Sequence, residues 1–183
     1  QYVLATLPLE VALFLPPLLY LFWNVGQFRW YPLCGAAALL AGSGVLTDER
    51  RARMDASLTQ HGEHLVRSYD TFHKLSNWGI LQDNGLYLLG LYLGRQDWCA
   101  LAARRMDENL HRSVFADGSQ WEQSPLYHCE VLHSALNTLH YAQAAGQTLP
   151  DRMVENIRRM CAALAKWCKP NGELLLQSDS DTV

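Results

Sequence analysis

The stretch DGSQWEQSPLYHCEV, residues 117–131, gathers a turn, two aromatic side chains, carboxylates and a Tyr-His pair around one helix start. With Ser124 as cap, Pro125 takes the first helical position, where a missing N–H costs nothing. Tyr127 then falls at the third helical position and His128 at the fourth. N–H groups of a first turn have no intrahelical partner, and the macrodipole there favours negative charge. Such a place stabilises a phenolate and also holds a bound carboxylate. A tyrosine with a free pKa of about 10 needs that help to exchange protons near neutrality. Glu122 and Gln123 stand just before the cap and are placed to orient a ligand. Trp121 offers a flat apolar face of the kind that meets the C–H surface of a sugar ring. A competing reading is structural: Ser-Pro is a common helix start, and a Tyr and a His there often bond only to nearby backbone.

A second stretch, HKLSNWGILQDN at residues 73–84, places Asn77 before a helix, with Trp78 beside it. The Asn77 amide would neutralise a substrate carboxylate by hydrogen bonding. Asparagine is equally one of the best N-cap residues, and a capping Asn needs no substrate. Other constellations carry less. In HGEH, His61 and His64 lie three apart, but no third ligand follows, so a solvated helix face is expected and no metal. His133 and His140 share a face and read as packing histidines. Arg67, Lys74, Arg104 and Arg105 are available as a basic wall. No Gly-rich phosphate loop, nucleophile elbow or paired Cys-His spacing is present, and no cofactor is expected.

These groups must be carried on helices, because nearly every segment has a helical period and none a clear strand alternation. PLCGAAALLAGSGVL, residues 32–46, reads as a small-residue helix. Thr47 or Asp48 caps a long amphipathic helix through about Phe72, with Met54, Leu58, Leu65, Tyr69 and Phe72 on one face. NWGILQDNGLYLLGLYLG, residues 77–94, reads as a helix that is apolar almost all round from Leu86 to Leu93 and therefore central. Residues 97–115 turn Trp98, Leu101, Ala102, Met106 and Leu110 inward. Ser124 opens a helix to about Ala145, and Leu149 to Trp167 form the last one, stopped by KPNG. Short loops between helices of similar length imply antiparallel neighbours, so the expected fold is all-α, six or seven helices in a bundle or an α/α toroid.

At 183 residues and 49% hydrophobic content the chain has enough apolar surface for one core. A net charge of −3 argues against a nucleic-acid partner. Five cysteines without CxxC spacing read as free buried thiols, leaning towards a reducing compartment. VALFLPPLLYLFW, residues 11–23, falls short of the roughly 20 apolar residues a bilayer requires and is broken by Pro16-Pro17, so no membrane span is expected. A soluble protein of the cytoplasm or periplasm fits, with the compartment left open.

Taken together, SNWGILQDNGLYLLGLYL (76–93) and DGSQWEQSPLYHCEVLHSAL (117–136) resemble the heparinase II/III-like family of polysaccharide lyases. The WEQSPLYH run is the specific part, and the likeness covers roughly residues 50–183. The resemblance implies an incomplete α/α toroid over residues 1–172, with 173–183 leading towards a β-sandwich domain outside this chain and the active site in the cleft between them. It implies β-elimination on an acidic, uronate-containing polysaccharide. Asn77 would neutralise the uronate carboxylate, and Tyr127 would be the catalytic acid and possible base. His128, Glu122, Gln123, Trp121 and Trp78 would bind sugar or shape the site. Many family members read Asn-His where this chain reads Asn77-Trp78, and a His or Tyr from the sandwich domain is not in this chain. The expectation is therefore a fragment weakly active by itself. The rival readings are a non-catalytic carbohydrate-binding domain and a toroid glycoside hydrolase, which needs two carboxylates across the scissile bond.

Overall fold

The structure is a computed structural model that describes residues 47–180. The helix expected at 32–46 and the apolar stretch at 11–23 lie outside the described residues. Five helices follow in order: α1 (Asp48–Arg67), α2 (Asn77–Leu93), α3 (Gln96–Ser113), α4 (Pro125–Ala144) and α5 (Asp151–Trp167). The all-α expectation holds, with no strand among the described residues.

Thr47 caps α1 as its side chain accepts from the Arg50 N–H at 3.3 Å, and Asp48 and Glu49 suit the positive end of the helix. The helix stops at Arg67, five residues before the expected end. Asp70 draws the chain away: its Oδ1 accepts from the His73 N–H at 3.2 Å and pairs with His73 Nδ1 at 2.6 Å. A short carboxylate side chain thus offers the backbone a turn in place of the next helical turn. Tyr69 and Phe72 therefore leave the helix face, and Phe72 is 55% exposed instead of buried.

Cross-chain bonds give the relative directions. Tyr92 of α2 donates to Asp55 of α1 at 3.0 Å, and Arg105 of α3 reaches the carbonyls of Leu65 and Val66 at the far end of α1. Cys99 at the start of α3 donates to the Tyr87 carbonyl near the end of α2, whereas Asn109 reaches back to Ser76. Hence α2 runs antiparallel to α1 and α3. Asn84 accepts from Asn137 and Thr138, and Tyr87 OH donates to Gln147, which makes α2 and α4 parallel. Asp107 of α3 pairs with Arg152 near the start of α5, and the Arg159 carbonyl lies against Gly118, just past the end of α3. So α3 and α5 are parallel as well. Two layers result, α2 and α4 in one and α1, α3 and α5 in the other.

The apolar all-round α2 is central, as its pattern demanded: Ile80, Leu86, Tyr87 and Leu89 are essentially sealed from solvent. Ala102, Met106 and Leu110 of α3 and Met153, Ile157 and Met160 of α5 complete the core. Asp83 is buried on α2, 3.6 Å from Arg105. Burial pushes its carboxyl well above the usual range, with the guanidinium opposing. No helix among the described residues is long and apolar enough to cross a membrane.

Residues 173–180 form no strand. The segment turns back on the end of α5 through a bridge between Cys168 and Leu174 and a bond from the Leu175 N–H to the Trp167 carbonyl at 3.0 Å.

Candidate functional site

The helix start at Ser124 forms as its sequence dictates. Ser124 Oγ accepts from the Tyr127 N–H at 3.4 Å, and its carbonyl takes the His128 N–H at 2.9 Å. Pro125 sits in the first turn without loss. Tyr127 is half-buried, and among the described residues its hydroxyl makes no hydrogen bond.

A chain reversal built by the 114–120 loop brings this start to α2. The Phe115 N–H bonds to the Ser119 carbonyl at 2.9 Å, the Trp121 N–H bonds to the Ser113 carbonyl at 2.8 Å, and Asp117 holds both the N–H and the hydroxyl of Ser119. Gln120 is buried; its amide donates to Glu122 Oε2 at 3.1 Å while its Oε1 accepts the Glu122 N–H at 2.9 Å. The Glu122 carboxyl, so fixed, lies near enough to the backbone N–H of Asn77 for that N–H to pull its pKa down. Two motifs 45 residues apart approach each other here.

Asn77 is the first residue of α2, not its cap. Ser76 occupies the cap position, yet its buried hydroxyl makes no bond among the described residues. Glu122 supplies the anion that an N-terminus attracts, so capping does not occupy the Asn77 amide. Burial pushes the Glu122 carboxyl above its usual value, the Gln120 amide and the Asn77 N–H pull it back, and Glu130 raises it further. Glu130 lies three residues beyond Tyr127 on α4, the spacing that places two side chains on one helix face.

Aromatic surface flanks the pair. Trp121 is 44% exposed. Trp78 is half-buried, with Phe72 packed edge-on against it at 5.6 Å. Gln123 is exposed and adopts φ 54°, a left-handed conformation uncommon outside glycine.

His128 is buried. Its ring is 1% exposed, Nε2 lies 3.0 Å from the Met160 carbonyl, and the Trp167 ring packs edge-on at 4.7 Å. A carbonyl only accepts, so Nε2 carries the proton and His128 joins α4 to α5, a place from which it shapes the helix start. The signal was present: His128 is in phase with the buried Val131, Leu132 and Ala135. Burial holds its pKa below the usual value, the Met160 carbonyl opposing, and burial lowers that of His61 too, with His64 adding to the effect. The folded state then binds fewer protons than the unfolded chain below about pH 6.5. Stability is therefore full above that pH and lost as pH falls towards the depressed values. The raised carboxyls of Asp83 and Glu122 act in the opposite sense, so the histidine contribution is read from a difference: in thermal melts at a series of pH values, His128→Gln should lose less Tm below about 6.5 than the parent does. A slope unchanged by the substitution would remove His128 from the account.

Two positioning residues were not singled out by the sequence. Gln120 fixes Glu122, and Asn109 donates to the carbonyls of His73 and Ser76 at 3.1 and 3.2 Å, seating the turn that carries Asn77. Ser113 orients Asn109 in turn, its hydroxyl donating to Asn109 Oδ1 at 3.1 Å. Both are buried polar groups, whose partners only the fold reveals. Of the proposed basic wall, Arg105 is committed to Leu65, Val66 and Asp83, and Arg67 pairs with Glu63. His133 and His140 are exposed instead of packed, as are Cys161 and Cys168, so only Cys99 of the described cysteines is a buried thiol. No group of three or more His, Cys, Asp or Glu side chains suited to a metal exists among the described residues.

The model of the family described as Heparinase II/III N-terminus matches residues 38–183. The chain belongs to that family. No curated protein and no solved structure matches it. The matched span includes all five helices of this heparinase II/III N-terminal domain and both motifs that approach each other at Asn77 and Glu122.

Proposed function

We propose that this heparinase II/III N-terminal domain is the helical part of a polysaccharide lyase that cleaves uronate-containing chains by β-elimination. The observation that supports the reading is the nearness of the Asn77 N–H to the Glu122 carboxyl, which sets residues of the two motifs side by side. The two-layer run of hairpins fits an arc of an α/α toroid, with α2 and α4 as neighbouring helices of one layer.

In this reading the Asn77 amide donates to the uronate carboxylate and so acidifies the neighbouring C5 proton. Elimination gains more from charge stabilisation at that carboxylate than from a strong base. Tyr127, its hydroxyl uncommitted among the described residues, protonates the departing glycosidic oxygen. Trp121 and Trp78 present ring faces to the sugar. Glu122 and Gln120 act by positioning. A histidine or tyrosine from a β-sandwich domain completes the proton transfers.

A second reading draws on Glu130. A glycoside hydrolase needs two carboxyl groups across the scissile bond, and Glu122 and Glu130 are near enough for the charge of one to act on the other. The products separate the two. The protein is incubated with a panel of uronate polymers, and ultraviolet absorbance from the unsaturated product is followed beside the appearance of reducing ends. A lyase raises both, whereas a hydrolase gives reducing ends alone. Binding without either product would leave a carbohydrate-binding domain. Asn77→Ala should lower the elimination rate by about a hundredfold, the scale of one lost charge-stabilising donor. An undiminished rate in that variant would exclude the amide from the chemistry.

A further inference from the structure

A cavity lies beside the motif, and neither Asn77, Glu122 nor Tyr127 lines it. The 114–120 loop contributes Phe115, Asp117 and Ser119; the helix start contributes Gln123 and Pro125; the end of α5 gives Trp167; and the returning segment gives Leu175 and Gln177. Its volume is about 360 Å³, at the small end of ligand pockets, which begin at roughly 300 Å³. That space suits one sugar ring and not a run of them.

The walls are set by features already described. Gly118, at φ 89°, lets the loop lie directly on the Arg159 carbonyl, where any side chain would collide. The Cys168–Leu174 bridge folds the last segment back over Trp167. Ser180 extends it across the helix start, its hydroxyl accepting from the Leu126 N–H at 3.2 Å and lying 3.1 Å from Ser124 Oγ. The left-handed turn at Gln123 separates two adjacent side chains: Glu122 goes to the start of α2, and Gln123 to this cavity.

The chemistry of the lining selects a ligand class. Gln123 and Gln177 each carry donors and an acceptor, and Ser119 and Asp117 add a hydroxyl and a carboxylate. Phe115 and Trp167 supply aromatic carbon. Such a set matches a pyranose, with hydroxyls around its rim and C–H groups on its faces. No basic side chain is among the lining residues. Hydrogen bonds from Ser119 hold the Asp117 carboxyl below its usual range, so it is charged at neutral pH, with Lys166 as the nearby cation. A carboxylate wall disfavours a second anion. We infer that this cavity is a binding site for a single uncharged pyranose unit, distinct from the place proposed for the uronate. The inference rests on the polysaccharide reading for the kind of polymer that brings the sugar.

The test is a titration of the protein with methyl N-acetylglucosaminide and, separately, with glucuronate, followed by ligand-observed NMR. The expected result is saturable binding of the neutral glycoside, about tenfold tighter than that of the uronate, one such step being about 1.4 kcal/mol. Gln177→Ala should weaken the neutral glycoside roughly fivefold, the range of one lost neutral hydrogen bond, and Asp117→Asn should narrow its preference over uronate. The idea is overturned by a uronate that displaces the neutral glycoside from its site as readily as a second neutral sugar does. It is equally overturned by no saturable binding, or by binding indifferent to Gln177→Ala. Unsaturated product formed without glycoside binding would refute this site and spare the elimination. Glycoside binding without product would do the reverse.

Discussion

Tyr127→Phe is expected to lower the rate of uronate elimination by about a thousandfold while leaving the melting temperature within a degree or two of the parent. The first figure is the middle of the range for a positioned acid–base group. The second follows from what the hydroxyl does in the fold, because among the described residues it bonds to nothing. Phenylalanine keeps the ring and its packing, and a substitution that removes no folded-state bond usually shifts stability by under about 0.5 kcal/mol. The helix start is also unaffected, since it is the Tyr127 backbone N–H that Ser124 accepts. Rate and stability should therefore separate. A variant that eliminates at the parental rate would take the phenol out of the chemistry, and one that melts much lower would show an unseen structural bond instead.

Gly79→Ala should be the most destabilising single change near the site. In an open helix this exchange gains roughly 1 kcal/mol. Here the added Cβ would fall on the His73 backbone carbonyl, inside van der Waals contact, with the Asn109 amide 3.2 Å away. That carbonyl cannot swing aside as a flexible side chain would, because Asn109 holds it and the Asp70–His73 turn holds the backbone on either side. The turn must shift outward as a unit, and the first turn of α2 with it. A cost of about 3 kcal/mol is expected, the upper range for overpacking, or roughly 10 °C in Tm for a chain of this size. Because Asn77 stands two residues before Gly79, activity should fall with stability, unlike the Tyr127 case. A neutral or stabilising Gly79→Ala, measured by thermal or urea unfolding, would show that the turn is not seated as described.

What could be read from the residues was local. Thr47 and Ser124 announce their helices by side chains that reach three residues ahead, and the apolar run of α2 could only be central. The end of α1 was misplaced because Asp70 competes for the backbone, a bond whose outcome depends on where His73 is held. The part of the site that matters most was not readable at all. Nothing near Ser76-Asn77 says that the anion at this helix start comes from Glu122, since the two come together only once two hairpins meet. The same limit hid Gln120 and Asn109, whose buried amides are defined by their partners. The place of His128 was legible: its phase with Val131, Leu132 and Ala135 turns it inward, where its ring bonds to a backbone carbonyl.

The layered arrangement also bears on when the site exists. Asn77 belongs to the α2–α3 hairpin, while Glu122 and Tyr127 stand at the entrance to α4–α5. In stacked helical repeats each unit is held chiefly by its neighbours, and such arrays open at their junctions before they melt. An excursion that merely parts the two hairpins would leave every helix intact and still separate the Asn77 N–H from the Glu122 carboxyl. The lifetime of the proposed site is then that of one junction, shorter than the lifetime of the fold.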